Sequence, residues 1–390
     1  MATTVRKRRA TTIRASGLPE DALEAIHRAE KRSGKGAVLR GDQLPRCNHI
    51  PTGSFILDLA LLGGFPQSFP TMAYGKESTG KSTLLLKGLA QYQKKNPDRI
   101  VGLIDSEGLY DPDWGAKLGV DTTRMLVTQP ETGEEAVDFF EDWLQIPSMG
   151  VVLIDSIPGC IPMQILQKSA EDDTMAQLPR LMGKLCQKWI GTGNAEKRKG
   201  HFVTPWMVNQ YRMKVGFVLG SPYTLPGGRQ INHIPTTKIK LALAKTVMGK
   251  DSMGIDVPEY DEQLFKLEKT KHGASIKEGA WQLILNPDNE AGLEQGAYDN
   301  VHQIMTYGKK MGFITGGGSS WKCLTKETNS TKFGRLSEIS EFLQEHEEER
   351  DTLARSIISH QREMKGLNAL PPDGYLTSHI GRLVKLKEVS

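Results

Sequence analysis

Gly75-Lys76-Glu77-Ser78-Thr79-Gly80-Lys81-Ser82 follows the β-rich run Thr71-Met72-Ala73-Tyr74 and opens the helical run Lys81–Lys94. The octapeptide fits G-x-x-x-x-G-K-[ST], and strand–loop–helix is the setting in which that pattern cradles phosphate. Gly75 and Gly80 admit backbone conformations that other residues avoid, so successive N–H groups can wrap a phosphate. Lys81 then sets a point charge on the outer phosphates and the Ser82 hydroxyl supplies a Mg²⁺ ligand. Glu77, Ser78, Thr79 and Thr83 complete the candidate cradle. A pattern with four restricted positions arises by chance in about one per cent of chains this long, so the signal is specific.

Outward from this loop, short β-rich runs alternate with helical ones. The strands are expected at Thr71–Tyr74, Ile100–Ile104, Met125–Thr128, Val151–Ile154, Phe202–Val208 and Lys238–Leu243. Helices are expected at Lys81–Lys94, Asp113–Leu118 and Gly133–Trp143. The alternation predicts an α/β fold, a mostly parallel twisted sheet flanked by helices, which binds ligands beyond the carboxyl ends of its strands. Asp155 stands there, closing Val151-Val152-Leu153-Ile154, and is placed to hold Mg²⁺ through water. Asp105 and Glu107 end the strand after the loop's helix. The residues alone leave both open as the base that orients and deprotonates an attacking water. Asp111 and Trp114 can offer adenine a hydrogen bond and a stacking face, although a Trp there is as well suited to packing. Asn209-Gln210 follows a further apolar run, where a terminal amide can sense a γ-phosphate or form a solvated turn.

With 390 residues, the chain has room for two or three domains, or for one large domain with attachments. Its 38% apolar content can supply a core and excludes wholesale disorder, coiled coil and collagen. The cysteines at 47, 160, 186 and 323 form no CxxC pair, which disfavours a disulfide scaffold or zinc knuckle and fits a reducing cytoplasm. No apolar run approaches about 18 residues, so no membrane span is expected. Arg6, Lys7, Arg8 and Arg9 precede no apolar segment, unlike a secretory signal; they form a frayed arm or a phosphate-touching tail. An amphipathic helix is expected from Pro19, at its first position, to Arg32, with Leu23, Ile26 and Ala29 on one face. It packs on the main body or on a neighbouring subunit.

Three regions follow: a basic arm and helix over 1–42, the α/β core over 43–285, and a C-terminal α/β region over 286–390. The last contains a helix to Tyr307, a turn at Gly316-Gly317-Gly318 and a helix from Leu336 with an acidic surface. The formal charge of +4 conceals an uneven distribution. Between Lys197 and Lys250 stand ten Lys or Arg residues and no Asp or Glu, which predicts an electropositive field suited to a phosphodiester backbone.

Taken in order, these motifs resemble the RecA recombinase family, in the form of a divergent bacteriophage member. The resemblance covers about residues 35–285. It rests on Thr52-Gly53-Ser54, Leu57-Asp58, the loop at 75–82, Asp105-Ser106-Glu107, Asp111-Pro112 and Lys117-Leu118-Gly119-Val120-Asp121. It continues through Gln129-Pro130-Glu131-Thr132-Gly133-Glu134, Val152-Leu153-Ile154-Asp155-Ser156, Asn209-Gln210-Tyr211-Arg212-Met213-Lys214-Val215-Gly216, Gly220-Ser221-Pro222 and Gly227-Gly228.

The resemblance implies ATP and Mg²⁺ as cofactors and Glu107 as the catalytic carboxylate. It implies that Gln210 links the γ-phosphate to a second DNA-binding loop at about 211–229, with Arg212, Met213, Lys214, Gly227, Gly228 and Arg229. A first DNA-binding loop falls near 158–176, with Met175 in it and Arg180 just after. Asp111 and Trp114 match adenine contacts, and Lys269 and Lys271 match lysines that reach a neighbour's γ-phosphate within a helical filament. The implied partners are single- and double-stranded DNA and further copies of the chain, with a single-stranded-DNA-binding protein or loading factors beside them. The implied location is the cytoplasm, the host's for a phage protein.

The chain departs from the family in the glycine-poor segment Pro158–Leu166, in Leu219 where the family carries a phenylalanine, and in Leu225-Pro226 in place of threonines. An acidic tail is missing from Leu383–Ser390, and seven acids stand instead between Glu338 and Asp351. The expected activity is ATP-dependent assembly on single-stranded DNA followed by homologous pairing and strand exchange. A ring helicase or motor, and a mediator ATPase that does not pair DNA, are the other readings of the same motifs.

Overall fold

The computed structural model describes residues 18–34, 36–41, 47–167, 177–213, 223–289, 292–324 and 330–370. Helix α1 (Glu20–Ser33) carries Glu20 and Asp21 in its first turn and Lys31 and Arg32 in its last, the arrangement that complements a helix dipole. Pro19 is extended, with ψ 158°, and caps the helix from outside instead of taking its first position. None of the helix's residues is buried. Next, β1 (His49–Ile50) pairs with β2 (Phe65–Pro66) around the wholly buried α2 (Phe55–Ala60).

The core then alternates as the sequence predicts. β3 (Thr71–Gly75), α3 (Lys81–Lys95), β4 (Ile100–Asp105), α4 (Pro112–Lys117), β5 (Met125–Thr128), α5 (Gly133–Leu144) and β6 (Met149–Asp155) follow one another. Short α6 (Met163–Leu166) and long α7 (Gln177–Arg198) lead into β7 (Thr204–Gln210). β8 (Arg212–Met213) and β9 (Tyr223–Thr224) form a two-stranded stem, and α8 (Gly228–His233) precedes β10 (Thr237–Lys250), β11 (Asp256–Thr270) and β12 (Glu278–Ile284). The eight-stranded sheet runs β12-β11-β10-β3-β7-β6-β4-β5. Its six strands from β10 to β5 are parallel, and β11 and β12 extend it antiparallel. Every residue of β3 is buried, as are Met149–Ile154 of β6; such continuous apolar runs suit strands covered on both faces.

Two expectations change here. The strand expected at Lys238–Leu243 continues to Lys250 and turns back as β11, a long hairpin whose outer part is half exposed. The carboxylate-free window is also less positive in space than along the chain. Glu196, Glu268, Glu262 and Asp256, all outside it, approach Lys199, Lys238, Lys245 and Lys250 at 2.6, 4.0, 3.4 and 3.4 Å. Pairing across the β10–β11 hairpin offsets Lys238, Lys245 and Lys250, while Lys199 meets Glu196 three residues earlier in the chain.

Beyond the sheet lie α9 (Asn300–Lys310), the three-stranded β13 (Ile314–Gly317), β14 (Ser320–Leu324) and β15 (Ser330–Phe333), then α10 (Leu336–Glu345) and α11 (Glu347–Glu363). The expected Gly316–Gly318 turn lies at the β13–β14 hairpin, and α11 is an additional helix. One apolar cluster joins Phe55 and Leu57 of α2 to Ile304 of α9 and Ile357 of α11. The buried Asn300 amide completes that junction, accepting from Phe55 N and donating to Gly53 O, both at 2.8 Å. Among the described residues, no helix is long and apolar enough to cross a membrane.

Candidate functional site

Four strands end abreast at one edge of the sheet. Gly75 of β3 is level with Gln210 of β7, and Asp105 of β4 with Asp155 of β6. Beyond them opens a cavity of about 470 Å³, walled by residues 77–83 on one side and by Asp155, Glu107 and Gln210 on another. Tyr110, Asp111 and Trp114 close its far end.

The 75–80 loop takes its shape from close backbone approach. A Cβ on Gly75 would lie 2.3 Å from the Leu241 carbonyl oxygen, and one on Gly80 would lie 2.5 Å from the Gln263 amide. Gly80 also has φ 81°, in the left-handed region that glycine enters without penalty. Inside the loop the Lys76 carbonyl is an internal acceptor. The Thr79 hydroxyl donates to it at 2.9 Å and the Lys81 ammonium at 2.5 Å. Burial lowers the Lys81 pKa, while Asp155, Glu107 and Glu77 oppose the shift. An ammonium so placed gains from an anion entering the cavity.

Burial pushes the Asp155 carboxyl up to about 6, a hydrogen bond from Ser82 opposes this, and Glu107 and Asp105 add to it. A hard divalent cation between Ser82 and Asp155 would remove that penalty, so these oxygens fit Mg²⁺. No cluster of three or more His, Cys, Asp or Glu that could hold a metal occurs among the described residues.

The geometry separates the two carboxylates that the sequence left open. Asp105 accepts from the N–H groups of Gly108, Leu109 and Tyr110 at 3.0, 3.2 and 3.0 Å and from the Gln129 amide at 3.1 Å. It is buried and pins the 106–110 turn. Glu107 is exposed on the cavity wall, and its Oε1 accepts from the Ser156 hydroxyl and, at 3.4 Å, from the Gln210 amide. Ser156 is itself clamped, since its N–H donates to Ser106 Oγ at 2.9 Å and Ser106 Oγ donates to its carbonyl at 2.8 Å. Sequence reasoning assigned Ser156 no role, because its only local signal was adjacency to Asp155. Tyr110 was missed as well, and its place after the Asp105–Glu107 turn was the sole hint.

Asp111 caps α4, accepting from Asp113 N at 2.9 Å. Trp114, one turn on, is half-buried against the core and also lines the cavity. Lys269 and Lys271 lie elsewhere. Lys269 pairs with Lys238 across the β10–β11 ladder, whereas the cavity begins near Leu241, which pairs with Gly75. Three residues of strand place them about 10 Å farther back along the sheet. The Lys269 ammonium donates to the His233 carbonyl, and Lys271 N donates to Thr236 O at 3.0 Å. Burial lowers the Lys269 pKa, with Lys271 and Lys238 acting in the same direction.

On the remaining flank, Arg212 and Met213 are exposed on β8, and Arg229 on α8. Arg180 is exposed in the first turn of α7. Gly227 and Gly228 have φ 89° and 78°, and a Cβ on Gly228 would lie 2.8 Å from Pro179 Cβ. Only glycine lets α8 begin so close to the start of α7, which brings the ends of the two expected loops together. Met175 and Lys214 lie outside the described residues.

Residues 21–286 match the family described as RecA N-terminal domain. Protein RecA of Francisella tularensis is 32% identical over 365 residues, covering 91% of this chain and 94% of its own. Protein RecA of Kineococcus radiotolerans is 34% identical over 269 residues, covering 68% and 74%. Protein RecA of Oceanobacillus iheyensis is 27% identical over 341 residues, covering 86% and 90%.

Proposed function

The chain belongs to the RecA family, and from that premise we propose that it is a DNA-dependent ATPase that forms helical filaments on single-stranded DNA and catalyses homologous pairing and strand exchange. One observation carries the reading. Gln210 stands in the cavity wall, with its amide on Glu107, and the next residue begins the 211–229 segment. A single side chain therefore joins the phosphate end of the cavity to the segment proposed to hold DNA.

In the proposed mechanism the phosphates of ATP take the Lys81 ammonium from the Lys76 carbonyl. Ser82 and Asp155 would hold magnesium, which when bound would supply positive charge to the phosphoryl oxygens. Glu107, oriented by Ser156, accepts the proton of the attacking water. Gln210 exchanges Glu107 for the γ-phosphate and draws the stem formed by β8 and β9 with it. Asp111 and Trp114 hold the adenine at the far end. Lys269 and Lys271 stand too far from their own cavity to serve it, which supports a role on the nucleotide of an adjacent copy. Arg180, Arg212 and Arg229 hold the DNA backbone, and base pairing between strands supplies the sequence match.

Electron microscopy with single-stranded DNA and an ATP analogue, paired with a strand-exchange assay, tests the reading. Extended right-handed filaments with exchanged product are expected. Closed rings would point to a helicase or motor, and filaments or complexes that never exchange strands to a mediator.

A further inference from the structure

Lys76 faces two ways. Its carbonyl turns inward and accepts both Lys81 Nζ and Thr79 Oγ1. Its ammonium turns outward over the ring of Tyr223, 5.9 Å from the centroid. Tyr223 belongs to β9, the closing strand of the stem, and pairs with Met213 of β8. Its ring leans on Tyr211 at 5.7 Å between centroids, and Tyr211 meets Tyr74 of β3 edge-on at 5.6 Å. The Tyr211 N–H donates to the Gly75 carbonyl at 3.3 Å. Lys238 and Lys240 of β10 stand over Tyr74 and Tyr211 at 5.0 and 5.7 Å. A column of three rings and three ammonium groups thus runs from the buried end of β3 to the stem.

We propose that Lys76 is a positioning residue that transmits occupancy of the phosphate cradle to the stem of the 211–229 segment through Tyr223, by a route separate from Gln210. The inference rests on the function proposed above, since it takes that segment to hold DNA. Its physical basis is that one residue has its backbone in the cradle and its charge on the stem. When a phosphate takes the Lys81 ammonium, the Lys76 peptide loses an inner tether and is free to shift. Its side chain carries that shift to the Tyr223 ring, and with it to β9. Gln210 acts on the opening strand of the same stem, so the two routes hold opposite sides. Plain packing would explain the buried Tyr74–Tyr211 contact, but not an exposed lysine of the phosphate loop resting on an exposed ring of the other element.

The test measures affinity of the full chain for a single-stranded oligonucleotide by fluorescence anisotropy, with a slowly hydrolysed ATP analogue and with ADP. The readout is the ratio of the two affinities. Losing one exposed cation–π contact should lower that ratio about two- to fivefold, in Lys76→Met and in Tyr223→Leu alike. The double variant should lose no more than either single one. Lys76→Arg and Tyr223→Phe, which keep the charge and the ring face, should retain the parent ratio. An unchanged ratio in Lys76→Met, or additive losses in the double variant, would overturn the inference. Equal weakening with both nucleotides in Tyr223→Leu would make that ring a DNA contact only and overturn it too. A parent chain whose DNA affinity ignored the nucleotide would sink the proposed function itself, and this inference with it.

Discussion

Glu107→Gln keeps an oxygen able to accept from Ser156 and Gln210 but cannot take a proton from water. Phosphate release should fall about 10²-fold or more, while ATP-dependent binding to an oligonucleotide persists. Unchanged turnover would move the base elsewhere. A second residue-scale prediction concerns Lys87 of α3, fully enclosed, with its ammonium donating to Gly296 O at 2.7 Å and 4.8 Å from the Tyr298 ring centroid. Burial pushes its pKa down from 10.5 to about 8, against the pull of Glu294. Between those values the unfolded chain binds more protons than the folded one, so this site's contribution to stability rises with pH. The gain amounts to at most about 3 kcal/mol. In urea unfolding, the parent should gain on Lys87→Met between pH 8 and pH 10, and a constant gap would refute this. Residue identity was the most legible level in the sequence where backbone chemistry decides, as at Gly75, Gly80 and Lys81. It was least legible for Asp105 against Glu107, two residues apart at one strand end, where residue chemistry alone left both open, the family resemblance favoured Glu107, and the folding of the 106–110 turn over Asp105 separates them in space.

At the scale of elements, the β10–β11 hairpin sets Lys269 and Lys271 away from their own cavity. If they serve an adjacent copy, Lys269→Ala or Lys271→Ala should depress DNA-stimulated turnover severalfold and leave the chain folded by circular dichroism. Turnover on DNA equal to the parent's would refute a role in trans. The core helices and parallel strands were readable because each carries its own periodicity and is closed by turn residues. The hairpin was only half readable. β11 is dense in charge, with Glu259, Asp261, Glu262, Lys266, Glu268 and Lys269, and reads as solvated chain until its partner strand is known. The first position of α1 was misplaced by one residue because the same proline ring can stand just outside a helix or just inside it.

For the whole molecule, the Asn300 amide joins the C-terminal elements to the core. Asn300→Ala would leave the Phe55 N–H and the Gly53 carbonyl buried without that partner, at about 1–3 kcal/mol for each group. The midpoint of urea unfolding should fall accordingly, and a midpoint within error of the parent's would refute the junction's weight. Charge also belongs to this scale. Four of the nine described basic residues between Lys197 and Lys250 meet carboxylates from outside that window, and Arg212 and Arg229 are among those turned toward solvent.

The amino-acid sequence alone determined the phosphate loop, the alternation of strands and helices, and the family, because spacing and turn chemistry are local and survive without knowledge of the fold. Tertiary structure decided which of the two carboxylates is exposed on the cavity wall and which is held by backbone N–H groups, that Ser156 supports Glu107, which lysines meet carboxylates, and that Lys76 reaches the stem of the 211–229 segment. Each of these depends on strand order and register, which bring together residues from distant parts of the chain.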